Sequence, residues 1–224
     1  MRRIPRKIVA ATTLGVLALA RLRRTRGRGA VRSIATFTTA DGKPRVATLG
    51  RSRFVRIWDA DSGRRLRRLP ISGTPVRLTT FVSSTGSPRL AVLTADQEIH
   101  VRDPVTGDRI GELRVAEADT GSRLAAWSTT SGRPRIAVTC GDAGIRIIDP
   151  EAGTQDGLAL IGHEVAAVDL VTWLTPGGQP RLASSGDGVT LLWDPETGRS
   201  VGRLTGPDEW LNSITAHTSP ERTL

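Results

Sequence analysis

The sequence predicts an all-β chain: four complete four-stranded β-propeller blades plus one extra strand, in an incomplete or open ring. Three markers that recur in one phase carry this reading. The segment Gly-x-Pro-Arg-apolar-Ala occurs at residues 42–47 (GKPRVA), 86–91 (GSPRLA), 132–137 (GRPRIA) and 178–183 (GQPRLA), at intervals of 44, 46 and 46. A second element keeps the same beat: IWDADSG from Ile57, VRDPVTG from Val101, IIDPEAG from Ile147 and LWDPETG from Leu192. The third is an aromatic that closes an apolar strand, at Phe37, Phe81, Trp127 and Trp173. Groups of four short strands repeating every ~45 residues mark propeller blades. The 24 glycines and 13 prolines supply the turns such a chain needs.

Residues 1–29 stand apart as a leader, and 30–224 hold the array in units of about 30–73, 74–119, 120–163 and 164–208, with a partial fifth at 209–224. Within the leader, residues 8–20 (IVAATTLGVLALA) form an apolar run of 13 between basic clusters. A membrane-spanning helix needs about 20 apolar residues. The run resembles the hydrophobic stretch of a signal peptide, with a small-x-small site at 18–20. The basic RLRRTRGRG that follows opposes export. The leader therefore reads as a short helix or disordered extension with weak attraction to anionic membrane, with a signal or anchor segment as the alternative. A cytoplasmic location is expected, with a membrane-associated or secreted protein as its alternative.

Each unit reads as four strands. In the third, residues 123–127 (RLAAW) form strand A and SGRP turns the chain into strand B at 135–139. Strand C follows at 145–148, and DPEAG turns it into a weaker strand D near 158–161. The prolines fall before strand B and in the C–D turn, where no ladder donor is needed. Residues 210–217 (WLNSITAH) repeat the strand A pattern, with His217 in the aromatic position.

Strands B and C form a hairpin whose register is readable. Arg45 and Asp59 are 14 residues apart, as are Arg89 and Asp103, and Arg135 and Asp149; Arg181 and Asp194 are 13 apart. Counting inward puts the bends near Ser52, Asp96, Asp142 and Asp187. Arginine and aspartate then face each other on one rim of every blade. Such an opposed pair contributes about 0.2–1 kcal/mol. A ring of arginines binding an acidic ligand is the functional alternative, disfavoured because each arginine has its own partner.

The net charge of +10 suggests a nucleic-acid binder, but the excess is local. Residues 1–30 carry nine basic side chains and no acid, which leaves 23 basic against 22 acidic for 31–224. The body lacks a basic nucleic-acid-binding face. The single cysteine, Cys140, excludes an intramolecular disulfide and a cysteine-based zinc cluster, and its apolar surroundings predict a buried, inert thiol.

With Trp58-Asp59 and Trp193-Asp194 in strand C, residues 31–216 resemble the WD-repeat family, particularly the arrays of large actinobacterial WD-repeat proteins. The resemblance implies a polar tetrad in each well-formed blade: a histidine before strand A, a Ser/Thr in strand B, an Asp in the B–C turn and the Trp of strand C. The fourth unit matches with His163, Ser184 (or Ser185), Asp187 and Trp193. The first keeps Thr48 and Trp58 but has Ser52 for Asp; the second keeps Asp96 but has Arg102 for Trp. The third keeps Asp142 but has Ile148 for Trp, and none of the three has the preceding histidine.

The family resemblance implies a non-catalytic scaffold for other proteins, which binds partners through the D–A and B–C loops. Those loops are chemically diverse, with Arg51 and Arg53 in the first unit, Asp96 and Glu98 in the second and Asp142 in the third. A truncated piece of a larger regulatory WD-repeat protein is the alternative. A propeller hydrolase is a further one, but it needs convergent carboxylates or histidines, and His100, His163 and His217 fall at different phases. No cofactor or metal is expected; His163 has no clustered His or Glu beside it in sequence. Unpaired blade faces at both ends of the array predict self-association that completes the ring.

Overall fold

The computed structural model describes residues 30–141, 144–186, 188–205 and 213–216. These form sixteen strands in four antiparallel sheets, each a four-stranded meander. Blade 1 contains β1 (Ser33–Thr38), β2 (Pro44–Leu49), β3 (Phe54–Asp59) and β4 (Arg65–Pro70). Blade 2 contains β5 (Pro75–Val82), β6 (Pro88–Thr94), β7 (Glu98–Arg102) and β8 (Arg109–Arg114). Blade 3 contains β9 (Leu124–Ser128), β10 (Pro134–Thr139), β11 (Ile145–Asp149) and β12 (Thr154–Leu160). Blade 4 contains β13 (Asp169–Leu174), β14 (Pro180–Gly186), β15 (Val189–Asp194) and β16 (Arg199–Thr205). Strand D of the third unit begins earlier than its composition suggests, because the polar residues 154–157 pair with β11 on an exposed outer edge.

The sequence-derived register of each B–C hairpin holds. Arg45 lies opposite Asp59, and the Leu90–Arg102, Ile136–Ile148 and Leu182–Trp193 pairs put the other arginines across from their aspartates one step on. In every blade the C–D pairing carries a register shift just before the C–D turn. Such a bulge re-aims the strand end. Here it accompanies a turn in which the glycine N–H donates to the aspartate C=O four residues back, as at Gly63–Asp59 and Gly107–Asp103, both 2.9 Å. At Gly107, φ is +92°, a conformation that glycine adopts at little cost because it lacks a Cβ.

A four-stranded sheet has two faces, and each inner face here is buried against a neighbour. Phe37, Leu49, Val55, Ile57 and Leu69 of blade 1 pack with Leu78, Leu90 and Val92 of blade 2. Phe81, Leu93, Ile99 and Leu113 of blade 2 pack with Ile136, Val138 and Ile148 of blade 3. Trp127, Ile145, Ile147 and Leu160 of blade 3 pack with Leu170, Leu182, Leu191 and Trp193 of blade 4. The innermost strands sit side by side in the order β1, β5, β9, β13. Threonine side chains stitch them: Thr80 Oγ1 donates to Thr36 O at 2.7 Å, and Thr172 Oγ1 to Ala126 O at 2.8 Å.

The four sheets do not close into a ring, and burial records it. Leu69, Leu113 and Leu160 occupy one place in the first three blades and are 2%, 6% and 1% exposed, whereas the corresponding Leu204 of blade 4 is 57% exposed. Trp173 is half-buried where Phe37, Phe81 and Trp127 are buried. At the other end, Ile34 and Trp58 of blade 1 face outward and are partly exposed. Residues 213–216 lie beside β13: the Ile214 N–H and Ser213 Oγ both donate to Asp169 Oδ2 at 2.9 Å. The same contact joins blades 1 and 2, where the Leu78 N–H donates to Ser33 Oγ at 3.1 Å. Ser213 and Ile214 thus sit where a fifth inner strand would begin. The rest of the 210–217 strand, with His217, and the whole leader lie outside the described residues.

Candidate interaction surface

The array has two rims of different character. One carries the A–B and C–D turns, which repeat almost unchanged from blade to blade. Its aspartate serves twice. Oδ1 accepts the backbone N–H groups of the C–D turn, as from Val105 and Thr106 to Asp103 at 2.8 and 3.0 Å. Oδ2 accepts from the arginine across the ladder: Arg45–Asp59 at 2.6 Å, Arg89–Asp103 at 2.9 Å and Arg135–Asp149 at 2.9 Å. The Ser62 N–H and hydroxyl hold the Asp59 carboxyl below the usual carboxylate range, and Arg45 adds to this. This turn's contribution to stability is present above the ordinary carboxylate pKa and fades as pH falls through the lowered one.

Blade 4 departs from the expected pattern. Arg181 keeps the bond to the preceding proline carbonyl that its counterparts make, to Pro180 O at 2.8 Å, but donates to Gln179 Oε1 at 3.0 Å instead of pairing with Asp194. Lys43, Ser87 and Arg133 at the same place offer no amide oxygen to accept from it. A second device on this rim joins neighbouring blades. Glu151 of blade 3 accepts from the Ser84 N–H of blade 2 at 2.9 Å, and Glu196 of blade 4 from the Thr130 N–H of blade 3 at 2.8 Å. The corresponding pair between blades 1 and 2 is Ala40 and Val105, which line a groove of about 610 Å³ with Phe37, Ile57 and Leu66.

The opposite rim carries the B–C turns and D–A loops, and these vary. Arg51 and Arg53 are exposed in the first B–C turn. Asp96 is exposed in the second and leans on Gly73 so closely that a methyl group there would overlap its Oδ2. The only two non-glycine residues with positive φ among the described residues, Gln97 at +65° and Glu117 at +68°, lie on this rim. Each is held: Arg114 donates to Gln97 Oε1 at 3.1 Å, and Arg146 to Glu117 Oε2 at 3.0 Å. Asp142 lies outside the described residues.

Three of the four tetrad positions in blade 4 meet at one atom. Ser184 Oγ, fully buried, lies 2.7 Å from His163 Nε2 and accepts from Trp193 Nε1 at 2.8 Å. Ser185, the alternative, lies across from Thr190 on the other face of β14. Asp187 lies outside the described residues. In blade 1, Trp58 Nε1 donates to Thr48 Oγ1 at 2.8 Å. Elsewhere the tryptophan's place is filled by other means: Arg102 donates across to Pro70 O of blade 1 at 3.2 Å, and Ile148 is fully buried against blade 2.

Glu98 opens β7, and its carboxylate lies 3.4 Å from His100 Nε2, while Glu112 on β8 lies 3.1 Å from Nδ1. Sequence reading missed this group, since the pairing of β7 with β8 assembles it. The three residues lie close enough to share a metal ion. However, the two carboxylates face different ring nitrogens, and Arg109 already occupies the Glu112 oxygen. His100 is buried between these carboxylates on the two outer strands of blade 2, and neither of its ring nitrogens makes a hydrogen bond among the described residues. Among the described residues, no helix is long and apolar enough to cross a membrane.

Cys140 is 2% exposed, and burial pushes its thiol up to about 11. Near neutral pH a disulfide reagent should label it only as fast as the blade 2–blade 3 core opens, and fully in urea; immediate labelling of the native chain would contradict this burial. Removing the shared hydroxyl in Ser184→Ala should lower stability in urea unfolding by about 1–3 kcal/mol, because it strands the buried Trp193 N–H. Thr48→Val, beside the partly exposed Trp58, should cost less. Parental stability for the Ser184 variant would mean the cluster holds nothing together.

Compared with known proteins, the chain matches no family model and no curated protein sequence.

Proposed function

We propose that this chain is a WD-repeat-type, non-catalytic scaffold that binds other proteins through the rim of B–C turns and D–A loops. The observation that carries this reading is the contrast between the rims. The rim of A–B and C–D turns repeats one set of hydrogen bonds, as a structural frame does. The other varies in charge from blade to blade and holds both of the non-glycine residues that lie in the left-handed region among the described residues, Gln97 and Glu117. A backbone held in a sparsely populated conformation is retained where the surrounding structure fixes a particular surface. Binding residues concentrate on loops positioned by such a frame.

The two open faces support completion of the ring by another copy. They are different surfaces, Trp173 and Leu204 on blade 4 and Ile34 and Trp58 on blade 1, so the contact joins the end of one chain to the start of the next. Two copies joined at both ends make eight blades. Pro176 stands where Ser84 and Thr130 offer an N–H to the following blade, so this junction forms without that backbone clamp.

A photo-crosslinking residue at Asp96, compared with one at Asp61 on the constant rim, tests the scaffold reading in the source cell. Partner proteins should cross-link at position 96 and not at 61; equal yields, or none at 96, would contradict it. Sedimentation across a concentration series tests the junction. The full chain should associate at micromolar concentration, and Leu204→Glu should shift it toward monomer. A parental chain that stays monomeric at high micromolar concentration would overturn ring completion.

A further inference from the structure

Three of the four strand B arginines at the constant rim are matched by aspartates; a second set near the propeller axis is not. Ser33, Arg77, Arg123 and Asp169 occupy one place in the four units, at the start of the innermost strand. Arginine fills it in blades 2 and 3, and Arg32 precedes it in blade 1. Because β1, β5 and β9 lie side by side, the three residues stand at adjacent strand ends on the variable rim, with Arg32 and Arg123 near enough for their charges to act on Arg77. Arg32, Val76, Arg77 and Thr120 line a cavity of about 550 Å³ there.

None of the three guanidinium groups has a carboxylate within ion-pair distance among the described residues. Arg77, half-buried, donates to Val76 O at 2.9 Å, and Arg123 donates to Gly121 O. Burial first, and then the charges of Arg123 and Arg32, pull the Arg77 pKa down from its ordinary value. Asp169 opposes that shift, yet both its oxygens are already engaged: Oδ1 accepts from the Leu170 N–H at 3.0 Å, and Oδ2 from Ser213 and Ile214. Gathering three positive charges at a partly desolvated mouth is unfavourable unless something negative compensates it.

We propose that Arg32, Arg77 and Arg123 form an anion site at the mouth of the propeller axis, which takes a multiply charged oxyanion. A single carboxylate would leave the cluster with excess positive charge, whereas a pyrophosphate group or adjacent carboxylates come closer to neutralising it. Guanidinium forks bind both by paired N–H donors. Thr120, which also lines the cavity, carries a hydroxyl. The site does not rest on the scaffold reading, because a free anion and an acidic segment of a bound protein present the same chemistry.

Calorimetric titration of the full chain with inorganic pyrophosphate and, separately, a hexaglutamate peptide tests the proposal. Salt of about 0.1 M shortens the reach of the basic leader to ~10 Å. Arg65 on β4 is exposed, so Arg65→Gln removes the same charge away from the axis. At least one probe should bind saturably, and Arg77→Gln and Arg123→Gln should each weaken it by about tenfold or more, as loss of a charged hydrogen-bond donor does. Arg77→Lys keeps the charge but not the fork and should fall between. Arg65→Gln should change affinity less than about twofold, as a screened surface charge does. Binding of pyrophosphate alone identifies a phosphate-type ligand, and binding of the peptide alone identifies carboxylates; either supports the site. No saturable binding, or equal losses in the Arg77 and Arg65 variants, overturns it. Melting temperatures of the variants matched to the parent keep the comparison free of unfolding.

Discussion

A four-stranded sheet that is apolar on both faces cannot stand alone in water, and this constraint organises the molecule. Each blade buries its faces only against its neighbours, so the three cores lie between blades and not within them. Stability in such a stack is approximately a sum of blade and junction terms. The places of Leu69, Leu113 and Leu160 are almost dry, while Leu204, the same residue in the same strand, is left largely in solvent. The difference comes from position in the stack, since the local sequence pattern is shared.

The turns keep the blades in register. One aspartate closes the C–D turn with one oxygen and meets the strand B arginine with the other, so turn geometry and B–C register are fixed together. This coupling explains why the Arg–Asp spacing repeats while the residues between vary. It also frees the opposite rim, whose loops are not needed to hold the frame. There the chain carries the strained Gln97 and Glu117, the exposed Arg51, Arg53 and Asp96, and the axial arginines.

Much of this was legible in the residues. The period of the Gly-x-Pro-Arg segment located strand B, and the Arg–Asp spacing predicted the hairpin register, because both depend on local turn chemistry. Where a neighbouring residue could intervene, that logic failed: Gln179 draws Arg181 away from Asp194. Features that depend on blades meeting in space were hidden. The Glu151 and Glu196 clamps join residues more than sixty positions apart, and Glu98, His100 and Glu112 converge only when β7 pairs with β8. The axial arginines could have been found by aligning the units on their aromatic markers, which puts Arg77 and Arg123 at one position. The meeting of His163, Ser184 and Trp193 followed a family resemblance and not any spacing rule.

Hydrogen–deuterium exchange, resolved by strand at the lowest workable concentration, tests most directly whether junctions between blades hold the chain together. Strands β6, β7, β10 and β11, in blades covered on both faces, should exchange slowest. Strand β16, which carries the exposed Leu204, should exchange about tenfold faster or more, as expected for a segment that opens locally. Uniform protection across all four blades of a monomer would contradict the account, because it would mean that each blade is stable on its own or that the ring is closed.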